Sequence, residues 1–133
     1  MRDGQSTAKK GLFAWSLRWD MSDHVTPEQR LAAFEKMVEQ RPDEPFARYS
    51  LAMSYRSLGR GEDAAREFEE LLRRKPDYVP AYLMLGQTLE VLGRYNDAAR
   101  VYGEGMTAAA GKDEHARSEL GQALDVLKAQ GAR

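Results

Sequence analysis

Two histidines, His24 and His115, are the only imidazoles in the chain, and it has no cysteine. A zinc centre needs more soft or imidazole ligands than two histidines far apart in sequence. Disulfides and thiolate chemistry are excluded outright. Both histidines read as surface residues. No Ser/His/Asp motif, GxSxG elbow or phosphate-cradling glycine loop is present. The residue inventory therefore predicts no catalytic site, no metal and no cofactor. The basic run Arg73-Arg74-Lys75 could contact phosphates, or it could complement the negative end of a helix; the second reading is preferred. Contact chemistry remains, carried by aromatic and methionine side chains.

Bulk composition agrees. Of 133 residues, 42% are hydrophobic and 31% charged, with a net charge of −1, as expected for one folded domain. No global basic excess attracts nucleic acid or an anionic bilayer. No apolar stretch reaches the roughly 20 residues of a membrane span. Arg2, Lys9 and Lys10 precede an apolar patch, but Arg18 and Asp20 interrupt it, so it does not read as a signal peptide. A cytoplasmic location is expected, and the Ala- and Arg-rich composition suggests a bacterial source.

The elements that position the contact residues come from an internal repeat. Residues 45–78 laid over 79–112 without gaps, an offset of 34 residues, give ten identities. They are Ala47/Ala81, Leu51/Leu85, Leu58/Leu92, Gly59/Gly93, Arg60/Arg94, Asp63/Asp97, Ala64/Ala98, Ala65/Ala99, Arg66/Arg100 and Glu70/Glu104. Chance would give roughly two or three. Each unit reads as helix, Gly turn, helix. Leu51, Tyr55 and Leu58 recur at helical spacing, and Gly59 supplies the left-handed residue that ends the helix. Glu62 and Asp63 suit the next N-terminus. Ala64 and Ala65 allow close approach, Phe68, Leu71 and Leu72 continue the buried face, and Pro76 marks the exit. Gly103 and Gly105 fall inside the second helix of unit two at a cost of roughly 1 kcal/mol each against Ala. They predict close packing against a C-terminal cap or, alternatively, a local hinge.

The segments YLMLGQTLEVLGRYNDAARVY and RYSLAMSYRSLGRGEDAAREF, with the small pairs Ala52/Ala64 and Gly86/Ala98, resemble the tetratricopeptide repeat. That resemblance implies an all-α fold, a short right-handed stack of helical hairpins with capping helices. It also implies a concave groove lined by the first helix of each hairpin. Carried over by register, the groove positions are Phe46, Tyr49, Ser50, Met53 and Arg56; Leu83, Met84, Gln87 and Glu90; and Ser118, Glu119 and Gln122. A subfamily that grips a terminal carboxylate places Lys and Asn where this chain has Tyr49, Met53 and Met84, so a carboxylate clamp is not expected. The groove instead reads as apolar, suited to an amphipathic helix or an extended apolar segment. The competing reading buries Phe46, Tyr49 and Met53 against the helix of residues 26–40.

The flanks complete the domain. Residues 26–41 read as a half-repeat helix, with Leu31, Phe34, Met37 and Val38 on its apolar stripe. Residues 113–130 read as a capping helix that turns Leu120, Gly121, Leu124 and Leu127 inward. The repeat domain thus spans 26–133, with repeats at 45–78 and 79–112, and residues 1–25 form an extension. That extension does not continue the pattern: Arg18 and Arg30 occupy the two small positions of a hairpin contact, and Val25 replaces the turn glycine. Phe13, Trp15, Leu17 and Trp19 make it apolar. Three readings stand open: an extension or artefact upstream of a start at Met21, an irregular cap, or an interface for a partner, a second copy or a membrane surface. The functional expectation is a non-catalytic interaction module, scaffold or adaptor that holds a peptide or helix of a partner protein. The alternative is a self-assembling structural protein that forms homo-oligomers through its repeat ends or N-terminal segment.

Overall fold

Thr26 begins the first helix with a reciprocal capping box. Its Oγ1 accepts from the Gln29 amide at 3.0 Å, and the Thr26 amide donates to Gln29 Oε1 at 3.0 Å. Pro27 follows at the first helical position, where its missing N–H costs nothing. The structure, a computed structural model, describes residues 25–131. Among the described residues the chain forms six helices and no strand. They are α1 (Pro27–Gln40), α2 (Pro45–Ser57), α3 (Gly61–Arg74), α4 (Pro80–Val91), α5 (Tyr95–Ala109) and α6 (Glu114–Ala129). α2 and α4 also open on proline, and Glu44 caps α2 by accepting from the Phe46 amide at 3.2 Å. Asp113 does the same for α6 through the Ala116 amide at 3.0 Å.

The hairpin turns are the same in both complete units. Gly59 and Gly93 have φ of 73° and 76°, the left-handed region that an L side chain enters at a cost of about 1–2 kcal/mol. The chain then closes a Schellman motif. Arg60 N–H donates to Tyr55 O at 2.9 Å and Gly59 N–H to Arg56 O at 3.1 Å. In the second unit Arg94 N–H donates to Leu89 O at 2.8 Å and Gly93 N–H to Glu90 O at 2.9 Å.

Small residues set how closely the helices approach. Ala52 and Ala64 are fully buried in the first hairpin, α2 against α3, and Ala98 is fully buried in the second, α4 against α5. Gly86 faces the ring of Tyr102, so a Cβ there would stand 2.6 Å from Tyr102 Cδ1 and 2.7 Å from Cζ. Between hairpins, α3 packs on α4 and α5 on α6, while α1 packs on α2. One continuous core results, centred on Phe68, Leu71, Leu85, Leu89, Tyr102, Leu120 and Leu127.

Two side chains that differ in the repeat do the same work. Tyr82 Oη donates to the Pro76 carbonyl at 2.5 Å, and Arg48, in the equivalent position, donates from Nη2 to the Pro42 carbonyl at 3.4 Å. Each ties a hairpin's first helix to the loop before it. Arg48 is buried, and its charge is met by Glu67 at 2.7 Å. On the exposed side of α3, Glu70 accepts from Arg73 and Arg74, which holds its carboxyl down at about 2, and Arg74 also reaches Asp43 at 2.7 Å. These two arginines therefore serve the end of α3 and the loop before α2.

Candidate functional site

α2, α4 and α6 are the first helices of successive units, and their N-terminal halves enclose a cleft of about 210 Å³. Tyr49 of α2 forms one wall and Leu83 and Met84 of α4 the floor, with Val79 and Pro80 at its end. Asp113, His115, Ala116, Glu119 and Leu120 close it from α6. Leu83 and Met84 are half-buried, so they expose apolar surface into the cleft while their inner sides touch the core. The rim on α6 is acidic. The Asp113 carboxylate caps its own helix, whereas Glu119 has only the largely exposed His115 nearby, at 3.6 Å.

Tyr49 is held from below. Its ring lies edge-on to Phe68, with centroids 5.8 Å apart, and tilts against Tyr78 at 5.6 Å. Burial raises its hydroxyl pKa, with Tyr78 adding to the rise and Arg56 opposing it. Its ring contacts are with α3 and the loop that follows it. Phe46 is 59% exposed at the first turn of α2 and lies outside the cleft. Ser50 and Met53 are half-buried, and Met53 packs on the core.

Three of the polar positions are engaged in joining helices. Arg56 donates to Met84 Sδ at 2.9 Å and to Gln87 Oε1 at 3.1 Å, locking α2 to α4 and fixing the methionine that floors the cleft. Glu90 accepts a short hydrogen bond from Tyr102 Oη. Burial and that carboxylate drive the Tyr102 hydroxyl far above its ordinary pKa, so it remains a donor. Glu90 thus serves the contact between α4 and α5. Ser118 and Gln122 are exposed on α6 away from the cleft, while Glu119 is on its rim. Phe13, Trp15, Leu17, Trp19 and His24 lie outside the described residues.

Val79, Pro80, Asp113, His115, Ala116 and Leu120 join the cleft without having been assigned to it by register. Spacing carried the signal: Val79 and Pro80 precede Leu83 by one helical turn, and His115 and Ala116 precede Glu119 likewise. Other depressions are built differently. One of about 440 Å³ is lined by Arg48, Arg66, Glu67, Glu69, Glu70 and Arg73, most of which are paired with one another. Another of about 280 Å³ carries the Arg100–Glu104 pair. The charged side chains of those two surfaces are largely engaged with one another, whereas the cleft between α2, α4 and α6 is lined mainly by apolar side chains. Among the described residues no group of three or more His, Asp or Glu converges to hold a metal ion, and no helix is long and apolar enough to cross a membrane.

Comparison with known proteins follows the geometry. A family model described as Tetratricopeptide repeat matches residues 31–79 and 49–114. A tetratricopeptide repeat domain protein from Salinibacter ruber is 35% identical over 66% of this chain and 90% of that one, with a TM-score of 0.63. The Yersinia enterocolitica type III secretion chaperone SycD, in complex with a peptide of the translocator YopD, is 12% identical. The match covers 92% of this chain and 95% of SycD with a TM-score of 0.73. The TPR2B domain of yeast Sti1, in its pHsp70 complex, is 16% identical over 92% and 97% of the two chains, also with a TM-score of 0.73. At such identities the last two share the fold alone. None of the curated proteins matches this chain in sequence.

Proposed function

The chain belongs to the tetratricopeptide repeat family, and from that premise we propose that it is a scaffold or adaptor that holds a peptide or helix of a partner protein against the cleft between α2, α4 and α6. One observation carries the reading: Tyr49, Leu83, Met84 and Ala116, from three successive first helices, turn apolar surface into one opening. An apolar residue of a partner is desolvated there at roughly 25 cal/mol per Å² of buried surface. The family is in general a protein-interaction fold rather than an enzymatic one. Two solved structures of the same fold are complexes with partners, SycD with a peptide of YopD and the Sti1 domain with pHsp70. The contact set assigned to this groove is Tyr49, Leu83, Met84 and Glu119. Arg56 and Gln87 position Met84, while Phe46, Ser50 and Met53 do not line the cleft.

The experiment uses peptides selected from a random display library on the intact protein, with affinities measured by isothermal titration. Met84→Ala and Leu83→Ala each weaken binding by about 1 kcal/mol or more, a roughly five-fold or greater rise in Kd, while far-UV dichroism and melting stay near those of the parent. Tyr49→Ala also weakens binding, but it removes the ring packed on Phe68 and Tyr78 and lowers the melting temperature too. Selected peptides that bind both α4 variants as tightly as the parent would overturn the proposal.

A further inference from the structure

Arg56 stands apart from the other arginines. Among the described residues every arginine except Arg30, Arg41 and Arg56 is ion-paired with a carboxylate. Arg30 and Arg41 are exposed to water. Arg56 is half-buried, and the acceptors that meet it are neutral: Met84 Sδ at 2.9 Å and Gln87 Oε1 at 3.1 Å. A thioether is a weak acceptor. A cation partly removed from water without a counter-charge is incompletely compensated, and a carboxylate compensates it best. Glu90, one turn beyond Gln87 on α4, is engaged by the Tyr102 hydroxyl.

The cation also stands at the edge of the cleft. Tyr49, Met53 and Arg56 recur at i, i+4 and i+7 on α2 and share one face of it. Tyr49 and Met84 line the cleft, and Arg56 touches the second and acts electrostatically on the first. A guanidinium carries N–H donors beyond the two in use here, in a planar fork that matches a carboxylate. The α6 rim holds Asp113 and Glu119, whose like charge repels an acid there. Resting on the peptide-holding role proposed above, we infer that the partner segment seats an apolar side chain on Leu83 and Met84 and presents an Asp or Glu side chain, beside that anchor, to Arg56. The positions at which a related subfamily grips a terminal carboxylate hold Tyr49, Met53 and Met84 here, so the acid is an internal side chain. Arg56 thus selects, among apolar segments, those with an acid on the α2 side, away from the α6 rim.

Peptides selected from a random display library on the intact protein are resynthesised with both ends blocked, so that only side chains carry charge, and are titrated calorimetrically. The expected sequences carry Asp or Glu beside the apolar anchor. Changing that acid to Asn or Gln raises Kd about ten-fold on the parent protein. On Arg56→Gln the same change alters Kd by less than about two-fold, because the acid has already lost its partner. A role of Arg56 confined to bracing Met84 gives a different pattern: Arg56→Gln then weakens acidic and neutral peptides alike, and that result overturns the inference. So does selection of peptides with no acid near the anchor. An acid-to-amide change without effect on the parent overturns it as well, and that measurement needs no protein variant. Peptides that remain sensitive to Leu83→Ala and Met84→Ala while indifferent to their own acid remove this inference and leave the cleft reading standing. Peptides indifferent to both α4 changes remove both.

Discussion

Phe68→Ala lowers the stability of the folded chain by about 3–5 kcal/mol. Phe68 has no exposed surface, sits between α2 and α4, and supports the ring of Tyr49 at 5.8 Å. Alanine leaves a void in the core beside the Tyr49 ring. Domains of this size have total stabilities of roughly 5–15 kcal/mol, so the change consumes a large part of the margin. Chemical denaturation followed by dichroism at 222 nm measures it; in a thermal scan the midpoint falls by about 10–20 °C. Because Phe68 also seats the cleft wall, peptide affinity falls with stability, in contrast to the two α4 substitutions. A loss below about 1 kcal/mol would mean that Phe68 is not the centre of the core.

Three glycine-to-alanine changes form the second prediction, and their signs differ. At Gly105 a Cβ would meet Tyr82 Cβ at 2.6 Å and Leu120 Cδ1 at 2.9 Å. Tyr82 Cβ is one bond from the main chain of α4, so relief requires moving a helix. At Gly86 the added atom would run into the Tyr102 ring, which is fully buried and anchored to Glu90. Each substitution costs about 1–3 kcal/mol or more through overpacking. At Gly103, two residues from Gly105 in the same helix, nothing lies within 4 Å of the added atom. There alanine removes backbone entropy from the unfolded chain without strain and stabilises by about 0.5–1 kcal/mol. Denaturation midpoints of the three single variants decide it, and a destabilised Gly103→Ala would contradict the packing described for α5.

These glycines show where sequence reading reached its limit. Both Gly103 and Gly105 sit in a helix interior and carry the same propensity cost, so sequence alone gives both the same two readings, close packing or a hinge. Only distances separate them: Gly105 is wedged between α4 and α6, while Gly103 faces outward. The hairpins themselves were legible because small residues, turn glycines and large apolar residues recur at one offset, and each has a steric reason for its place. Arg48 and Tyr82 share no chemistry that a comparison of letters detects, yet both reach a proline carbonyl. The cleft was legible in part. Tyr49, Leu83, Met84 and Glu119 follow from the register that the tetratricopeptide resemblance implies, but Glu90, Gln87 and Arg56 have long polar side chains that can meet solvent or a neighbouring helix. Their partners across the interface decide which. Val79 and Pro80 are reached by stepping one turn back from Leu83, whereas Asp113 sits in a loop before α6, where a periodic pattern carries little information.

The account's central claim is that partner segments are held between the N-terminal halves of α2, α4 and α6. The most direct measurement is a backbone amide chemical-shift titration of the ¹⁵N-labelled intact protein with a library-selected peptide. The prediction is that perturbed amides cluster at Tyr49, Val79, Leu83, Met84, Ala116 and Glu119. Perturbation centred instead on Arg66, Glu70 and Arg73, with the cleft amides unmoved, would contradict it.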